Sequence, residues 1–318
     1  MPPEPAAAGG RALYGAVEAG GTKFVCAAGC APREMLEDCV IATTTPQATL
    51  AAVCAFFEHV RRERAPLASI GIAAFGPVEL DPRSGSRGTL LRTPKAGWEG
   101  VSLLSPLAER FGCPVAIDTD VNAAALAESL YGAGVGTRSL AYVTVGTGIG
   151  GGVAFEGRTL PGLLHPEMGH IAVRRHPADA EFAGVCPFHG DCLEGLASGP
   201  AIVARWGATA ESLPDAHPAL ETLGWYLGQL AASIALVCSC ERIVFGGGVM
   251  SDGRLLPFIR RAARQQLAGY LPIDAKAGGF ERYITAPALG QHAGLIGALA
   301  LALGTARATV PPPGDPGG

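Results

Sequence analysis

Short runs of apolar residues alternate with stretches of helical periodicity along most of this chain. Strands are predicted for the apolar runs, and helices where apolar residues recur three or four positions apart. The predicted strands are 13–19, 23–29, 67–76, 114–118, 140–146 and 152–157, and the predicted helices are 47–64, 101–112, 121–132 and 255–271. This alternation of strand and helix is typical of an α/β protein.

A strand, a glycine-rich bend and a second strand occur in that order twice. The first copy has the bend Gly-Gly-Thr at 20–22, and the second has Thr-Gly-Ile-Gly-Gly at 147–151. A third glycine cluster, 246–248, follows another apolar run. Because glycines at a strand end let backbone N–H groups approach phosphate oxygens closely, these loops favour nucleotide binding. The recurrence also indicates internal duplication.

The glycine loops do not fit two common nucleotide-binding motifs. In a dinucleotide-binding fold the glycine-rich loop opens a helix, whereas the first two loops here open strands. The sequence G-x-x-x-x-G-K-[ST] is absent, which excludes a P-loop protein. Two hairpin-type loops on duplicated α/β halves predict a two-domain, actin-like (ribonuclease H-like) fold of the kind found in ATPases and sugar kinases.

The domain limits follow from the same pattern, with a boundary near residue 118. The ends of the chain are rich in Pro, Gly and Ala, which favours disorder. The predicted segments are a disordered tail at 1–11, a first α/β domain at 12–118, a second α/β domain at 119–290 with a metal-clamped loop at 165–195, a final helix at 291–303 that packs back on the first domain, and a disordered tail at 304–318.

Charge and composition exclude several kinds of partner. The 318 residues are 48% hydrophobic and carry a net charge of −4. Lys and Arg form no cluster larger than a pair such as Arg61-Arg62, so no nucleic-acid face is expected. The first residues lack the pattern of a signal peptide, and the apolar run 293–303 is shorter than the roughly 20 residues that a bilayer needs. A cytoplasmic protein without a membrane partner is expected.

Asp118 and Asp120 flank Thr119 where a predicted strand meets a predicted helix. Phosphoryl transfer to an alcohol needs a carboxylate that accepts the hydroxyl proton and orients the attacking oxygen. Asp120 stands just before the helix, where an ordinary N-cap aspartate would also stand. From its position alone, both interpretations of Asp120 stay open.

Residues 165–192 hold a high share of the chain's metal-capable side chains. Cys186, His189 and Cys192 present three soft or borderline ligands within seven residues. A closed tetrahedral zinc site needs a fourth ligand, for which three histidines upstream compete: His165, His170 and His176. The remaining cysteines lie among apolar neighbours and are interpreted as core residues.

Six motifs resemble those of the ROK sugar-kinase family, in the right order and over roughly residues 13–303. They are EAGGTK (18–23), DTDVNAAALAE (118–128), VGTGIGGG (145–152), HPEMGH (165–170), CPFHGDCLEG (186–195) and FGGGVM (245–250). The variants EAGGTK, TPKAGW (93–98) and CPFHGDC resemble the fructokinase branch in particular.

The resemblance implies ATP-dependent phosphorylation of D-fructose to fructose 6-phosphate, with Asp120 as the general base. It implies Mg²⁺ held through water by Glu18, where the family usually has Asp, and a structural Zn²⁺ held by His170, Cys186, His189 and Cys192. The implied sugar-binding residues are Gly76, Pro77, Thr93, Lys95, Gly97, Trp98, Asn122, Glu167, His170 and Glu194. The implied nucleotide-binding residues are Gly20, Gly21, Thr22, Lys23, Thr144, Gly146, Thr147, Gly148, Pro200, Gly246, Gly247, Gly248, Val249 and Met250. A homodimer is the family-level expectation.

Three alternatives to a fructokinase remain from the sequence. One is a hexose kinase of broad specificity that accepts mannose or glucose. Another is a sugar-responsive repressor, which in the family carries a DNA-binding helix-turn-helix before the first glycine loop; the thirteen residues before Tyr14 are too few for one. The third is a sugar sensor without catalysis, against which the presence of Asp120 argues.

Overall fold

The computed structural model describes residues 11–93 and 95–309, which divide into two compact units. The first unit comprises the described residues up to Ala123 and those from His292 onward. The second unit comprises Ala124–Gln291. Most of the two predicted disordered tails lies outside the described residues.

The helices and strands follow one another in the order expected of an α/β chain, which confirms the predicted class. The first eight are β1 (Leu13–Ala19), β2 (Lys23–Ala31), β3 (Glu34–Ala42), α1 (Pro46–Glu63), β4 (Leu67–Ala74), α2 (Ser105–Phe111), β5 (Val115–Thr119) and α3 (Asp120–Tyr131). The rest are β6 (Ser139–Val145), β7 (Ile149–Phe155), β8 (Arg158–Thr159), α4 (Leu193–Ala197), α5 (Gly199–Trp206), α6 (Ala219–Val237), β9 (Arg242–Gly246), α7 (Leu256–Leu267), α8 (Ile273–Ala277), α9 (Phe280–Tyr283), β10 (Ile284–Thr285) and α10 (Ala293–Thr309).

Each unit is built on a five-stranded sheet, and the two sheets share one topology. The first sheet has the order β3-β2-β1-β4-β5, and the second has the order β8-β7-β6-β9-β10. In both, the leading strand pairs antiparallel with the strand after the glycine bend and parallel with the strand on its other side. The duplication that the sequence indicated is therefore a duplication of sheet topology.

Helix α10 packs on the first sheet, although it comes last in the chain. The hydroxyl of Ser69, on β4, donates a hydrogen bond to the carbonyl oxygen of Ala302 at 2.7 Å. A Cβ on Gly71 would overlap the carbonyl oxygen of Ala298, so a glycine allows strand and helix to meet this closely. The helix continues to Thr309, six residues beyond the predicted end at 303, so the predicted tail at 304–318 is wrong for its first residues.

Other differences from the predicted elements have local causes. Strand β3 was not predicted, because it is an edge strand whose residues are all half-buried or exposed and include three acidic side chains. Helix α2 begins at Ser105 rather than at residue 101, since the hydroxyl of Ser102 accepts a hydrogen bond from the Ser105 N–H. Strand β7 begins at Ile149, three residues before its predicted start.

Helix α6 is apolar on nearly every side and was not predicted either. It is the one described helix that is long and apolar enough to cross a membrane, but 72% of that apolar window is buried inside the protein. Its residues form much of the second unit's core together with β6, β9 and α7. This helix is therefore a core helix, and its even hydrophobicity removes the periodic signal that reveals a surface helix.

Candidate functional site

Parallel strand pairing places Glu18 and Asp118 at the same end of the first unit's sheet. Glu18 of β1 pairs with Ala73 of β4, and Ala73 pairs with Asp118 of β5. The carboxyl ends of three neighbouring strands thus coincide, and Asp120 follows directly as the first residue of α3. Ligand sites in α/β proteins commonly lie at this edge of the sheet.

The turn from β5 into α3 is held by side chains on either side of Asp120. The Thr119 hydroxyl accepts a hydrogen bond from the Asn122 N–H at 3.1 Å, which is the bond of a helix N-cap. Asp120 itself accepts from the neighbouring Val121 N–H at 2.8 Å. The interpretation of Asp120 as an ordinary N-cap is therefore wrong, since Thr119 caps the helix. The role of Asp120 as a general base stays a prediction.

Asn122, a predicted sugar ligand, is almost fully buried, with 2% of its surface exposed. Its side-chain amide donates to Asp118 Oδ1 at 2.7 Å. Among the described residues, no donor reaches its Oδ1 atom. A sugar contact from Asn122 would therefore use this oxygen as an acceptor.

Glu18 has an unusual electrostatic environment for a carboxylate. Burial, and to a lesser extent the negative charge of Asp120, raises its pKa from 4.5 to about 7, although Lys23 acts in the opposite direction. The carboxylate also packs against the α-carbon of Gly294 in the first turn of α10, where a Cβ would collide with it. A carboxylate that is costly to ionise in this position is suited to a site where a divalent cation supplies the missing positive charge.

A pH-dependent stability follows for the metal-free protein. The unfolded chain releases the Glu18 proton near its ordinary pKa of 4.5, whereas the folded chain keeps the proton until about pH 7. The folded state therefore binds more protons in this window, and stability should fall by about 1–3 kcal/mol as pH rises through it. Glu18→Gln should remove this part of the pH dependence of the free energy of unfolding, measured by urea unfolding at several pH values without divalent cations. Glu109→Gln, an exposed carboxylate on α2, is the control; identical slopes for the wild type and Glu18→Gln would contradict the prediction.

The glycine loop between β1 and β2 is compact at its base and open at its tip. The Gly20 N–H donates to the Lys23 carbonyl oxygen at 3.0 Å, and the Thr43 hydroxyl donates to the Gly20 carbonyl oxygen at 2.8 Å. No heavy atom lies within 4 Å of a Cβ placed on Gly21. Gly21, Thr22 and Lys23 are exposed. This arrangement suits the predicted phosphate contact.

The other predicted sugar contacts of the first unit differ in how accessible they are. Trp98 is fully buried, packs against Phe24 and Phe75, and donates its indole N–H to the Thr44 carbonyl oxygen at 3.1 Å. It is thus a core residue with its one donor already used, and a polar sugar contact from its side chain is not supported. The remaining predicted contacts follow β4 or lie in the loop before Trp98: Gly76, Pro77, Thr93, Lys95 and Gly97.

In the second unit, parallel pairing brings two glycine loops together. Thr144 of β6 pairs with Gly246 of β9, so the turn 146–148 and the cluster 246–248 begin side by side. Gly247 has φ +92°, and a Cβ there would collide with the backbone of Val145. The first N–H of helix α5, from Gly199, donates to the Gly146 carbonyl oxygen at 2.7 Å. Pro200, Val249 and Met250 flank these glycines, so all the nucleotide contacts predicted for this unit lie in one region.

The structure brings the four predicted zinc ligands together. The ligand atoms of His170, Cys186, His189 and Cys192 all lie within 4.8 Å of one another. His170 Nδ1 is 3.7 Å from Cys186 Sγ and 3.6 Å from Cys192 Sγ. Ligands on a tetrahedral Zn²⁺ at ordinary bond lengths are separated by about 3.5–3.8 Å, so the residues fit this ion.

Neither competing histidine belongs to this cluster. His165 Nδ1 is 3.3 Å from a carboxylate oxygen of Glu167. His176 Nδ1 accepts from the Ala178 N–H at 3.2 Å, and its ring packs edge-on against Trp225. Of the three histidines that the sequence left open, His170 is therefore the one that the fold places with the cysteines.

The metal-ligand loop, residues 165–195, is also fixed by a buried ion pair that no sequence pattern predicted. Asp179 and Arg205 form an ion pair at 3.0 Å, with 6% and 8% of their side chains exposed. The Tyr226 hydroxyl donates to Asp179 at 2.7 Å, and the Arg205 guanidinium stacks over Phe182. This ion pair supports the loop in addition to the predicted metal clamp. The partners are distant in sequence, which left no local pattern to reveal them.

The two carboxylates predicted to bind sugar from this loop have different surroundings. Glu167 is about half exposed and faces His165. Glu194, in the first turn of α4, accepts a hydrogen bond from the Ile149 N–H at 2.9 Å through Oε2. Its other oxygen lies 3.9 Å from His170 Nε2. Glu194 is thus next to both the metal-ligand cluster and the glycine turn.

Glu128 has a structural role that the sequence did not predict. It is fully buried in α3, and its carboxylate accepts three backbone hydrogen bonds, from Ala133, Ala288 and Leu289. These bonds tie the end of α3 to the segment that precedes α10. The sequence showed only an acidic residue within an apolar helix.

Comparisons with known proteins cover nearly the whole chain. A model of the ROK family matches residues 14–305. The chain is 46% identical to a fructokinase of Zymomonas mobilis, across 92% of this chain and 96% of the relative, and 39% identical to a fructokinase of Streptococcus mutans, across 91% and 97%. A solved ROK family glucokinase from Streptomyces griseus, in complex with glucose and AMPPNP, is 29% identical, with a TM-score of 0.71 over 92% of this chain and 99% of that one.

Proposed function

We infer the activity of this chain from the premise that it belongs to the ROK family and has its actin-like sugar-kinase fold. We propose that it is a fructokinase, which transfers the γ-phosphoryl group of ATP to D-fructose and forms fructose 6-phosphate. The observation that carries the kinase assignment is that Glu18 and Asp120 lie at the carboxyl ends of strands of one sheet, close enough for the charge of Asp120 to raise the pKa of Glu18. The choice of fructose rests on the high identity with named fructokinases.

Asp120 is the proposed general base. Its carboxylate accepts the proton of the C6 hydroxyl of fructose as the phosphorus–oxygen bond forms. It also orients that oxygen for attack in line with the leaving ADP. A loose transition state needs little early proton transfer, so a carboxylate of modest basicity is adequate. The N-cap bond of Thr119 fixes the first turn of α3 and thereby the position of Asp120.

Main-chain amides are the proposed ligands of the nucleotide. Glycines follow a strand in the turn at 20–22 of the first unit, and in the turn 146–148 and the cluster 246–248 of the second. The β- and γ-phosphates suit their N–H groups, because the approach of backbone to phosphate is unhindered at glycine. The solved glucokinase relative that holds AMPPNP supports ATP as the phosphoryl donor.

Two metal ions complete the proposal. Glu18 would hold Mg²⁺ through water, and this ion would neutralise charge on the transferred phosphoryl group. His170, Cys186, His189 and Cys192 would hold a structural Zn²⁺ whose four protein ligands leave no position for a reacting water. We also propose, from the family resemblance, that the protein is a cytoplasmic homodimer.

A panel of sugars tests the proposal. Coupled assays of ADP release with fructose, mannose and glucose should give the highest kcat/KM for fructose, by about 10-fold or more over the other two. The Asp120→Asn variant, purified identically, controls for contaminating kinases. A preference for glucose or mannose would replace fructokinase by a hexose kinase of another specificity, and no phosphorylation of any sugar would contradict the kinase assignment.

A further inference from the structure

The metal-ligand loop contacts both backbone polar groups of Ile149, the residue that directly follows the glycine turn 146–148. The Ile149 N–H donates to Glu194 Oε2 at 2.9 Å. On the other side, Gly169 lies so close to the Ile149 carbonyl oxygen that a Cβ on Gly169 would overlap it. Gly169 directly precedes the predicted zinc ligand His170, and Glu194 follows the predicted ligand Cys192 by two residues.

The turn 146–148 therefore has a separate support at each end. At its start, the Gly146 carbonyl oxygen accepts from the Gly199 N–H at 2.7 Å. At its end, the Glu194 carboxylate binds Ile149 and lies beside Gly148, where a Cβ would come 2.7 Å from Glu194 Oε2. Within the turn, the Gly146 N–H donates to the Gly148 carbonyl oxygen at 2.8 Å. Glu194 is the one side chain in this set.

Glu194 also lies beside the cluster of predicted metal ligands. His170 directs Nδ1 toward the sulfur atoms of Cys186 and Cys192, which leaves Nε2 on the side of Glu194, 3.9 Å from Oε1. The Glu194 carboxylate thus has one oxygen toward the metal-ligand cluster and one oxygen on the backbone of the glycine turn. A sugar contact alone would not require the second bond.

We propose that Glu194 is a positioning residue for nucleotide binding: it holds the glycine turn 146–148 in a conformation that binds phosphate, in addition to its predicted contact with the sugar. This inference rests on the proposed function, since it assumes that the turn binds ATP. The metal-ligand loop was predicted from the sequence to bind only the sugar. In this proposal it also determines the affinity for the nucleotide.

Binding of MgADP without any sugar separates the two roles of Glu194. Glu194→Ala removes the acceptor of the Ile149 N–H, and Glu194→Asp is too short by one methylene to reach it. Both should raise the Kd for MgADP by about 5- to 20-fold in calorimetry, since a hydrogen bond to a charged group contributes roughly 1.5–3 kcal/mol, of which part is recovered by water. Glu194→Gln keeps an acceptor oxygen and should bind MgADP at least as tightly as the wild type.

Glu167 is the matched control, because it is the other predicted sugar-binding carboxylate of the same loop and faces His165 instead of the turn. Glu167→Ala should weaken sugar binding and leave the Kd for MgADP unchanged. Wild-type affinity for MgADP in Glu194→Asp, with folding verified by circular dichroism, would overturn the inference, as would an equal loss in Glu194→Gln. Failure of the wild type to bind MgADP would instead contradict the proposed function.

Discussion

Replacing Asp120 by asparagine is expected to lower kcat with fructose by about 10²- to 10⁴-fold while changing the Kd of the sugar by less than about threefold. Asparagine has nearly the same shape and still accepts a hydrogen bond from a hydroxyl, but it cannot take up the proton. The loss should therefore appear in the chemical step and not in binding. Single-turnover kinetics together with calorimetric titration of fructose would measure the two effects separately.

The surroundings of Asp120 make this variant a clean test. The helix that positions it is capped by Thr119, and Asp120 is not the cap, so its replacement leaves the capping bond intact. One electrostatic consequence is expected at Glu18, whose pKa is raised in part by the charge of Asp120 and should fall in the variant. Asp38→Asn, an exposed aspartate on β3 of the same unit, is the control and should retain full activity. A kcat within threefold of the wild type would show that Asp120 is not the base.

Replacing Cys186 by serine is expected to abolish zinc binding and to lower the midpoint of thermal unfolding by on the order of 10 °C. A serine hydroxyl is a poor ligand for zinc at neutral pH, and three remaining ligands do not complete a closed site. The loop would then depend on its remaining contacts, such as the buried pair of Asp179 and Arg205 and the bond from Ile149 to Glu194. Elemental analysis should find about one zinc per chain in the wild type and less than about 0.1 in the variant.

Cys30→Ser provides the matched comparison, since Cys30 is a half-buried thiol outside the cluster of predicted ligands. This variant should keep its zinc and its unfolding midpoint. Treatment of the wild type with a strong chelator should reproduce the effect of Cys186→Ser. A wild-type protein without zinc, or a Cys186→Ser variant that retains it, would refute the assignment of this cluster.

The parts of the fold that the sequence predicted are those with a strong local signal. Strands β1, β4, β5 and β6 are short apolar runs bounded by turn residues, and their predicted limits agree with the structure to within two residues. Strand β3 and helix α6 lack such a signal, the first because it is a polar edge strand and the second because it is apolar all round. The arrangement of the strands depends on pairing between segments that are distant in sequence, which local patterns do not reveal. This pairing aligns Glu18 with Asp118 on either side of β4.

In the candidate site, too, some residues have a local sequence signal and others are brought together only by the fold. The Cys186, His189 and Cys192 ligands are close in sequence, so their spacing alone predicted a metal site. His170 needed the family resemblance, and the fold then placed it beside the cysteines. The bond from Ile149 to Glu194 and the three backbone bonds of Glu128 join segments more than forty residues apart or arise at a helix end, and no spacing rule anticipates them. Trp98 matched a family motif, yet its burial shows a packing role.

Helix α10 has a consequence for how the protein is made on the ribosome. The strands of the first sheet are translated before the second unit, but the helix that covers β4 through Ser69 and Gly71 is translated after it. The second unit is continuous in sequence and can fold during synthesis. Until that helix has been made, the first unit keeps part of its apolar surface uncovered, which makes it the portion of a nascent chain that chaperones would bind.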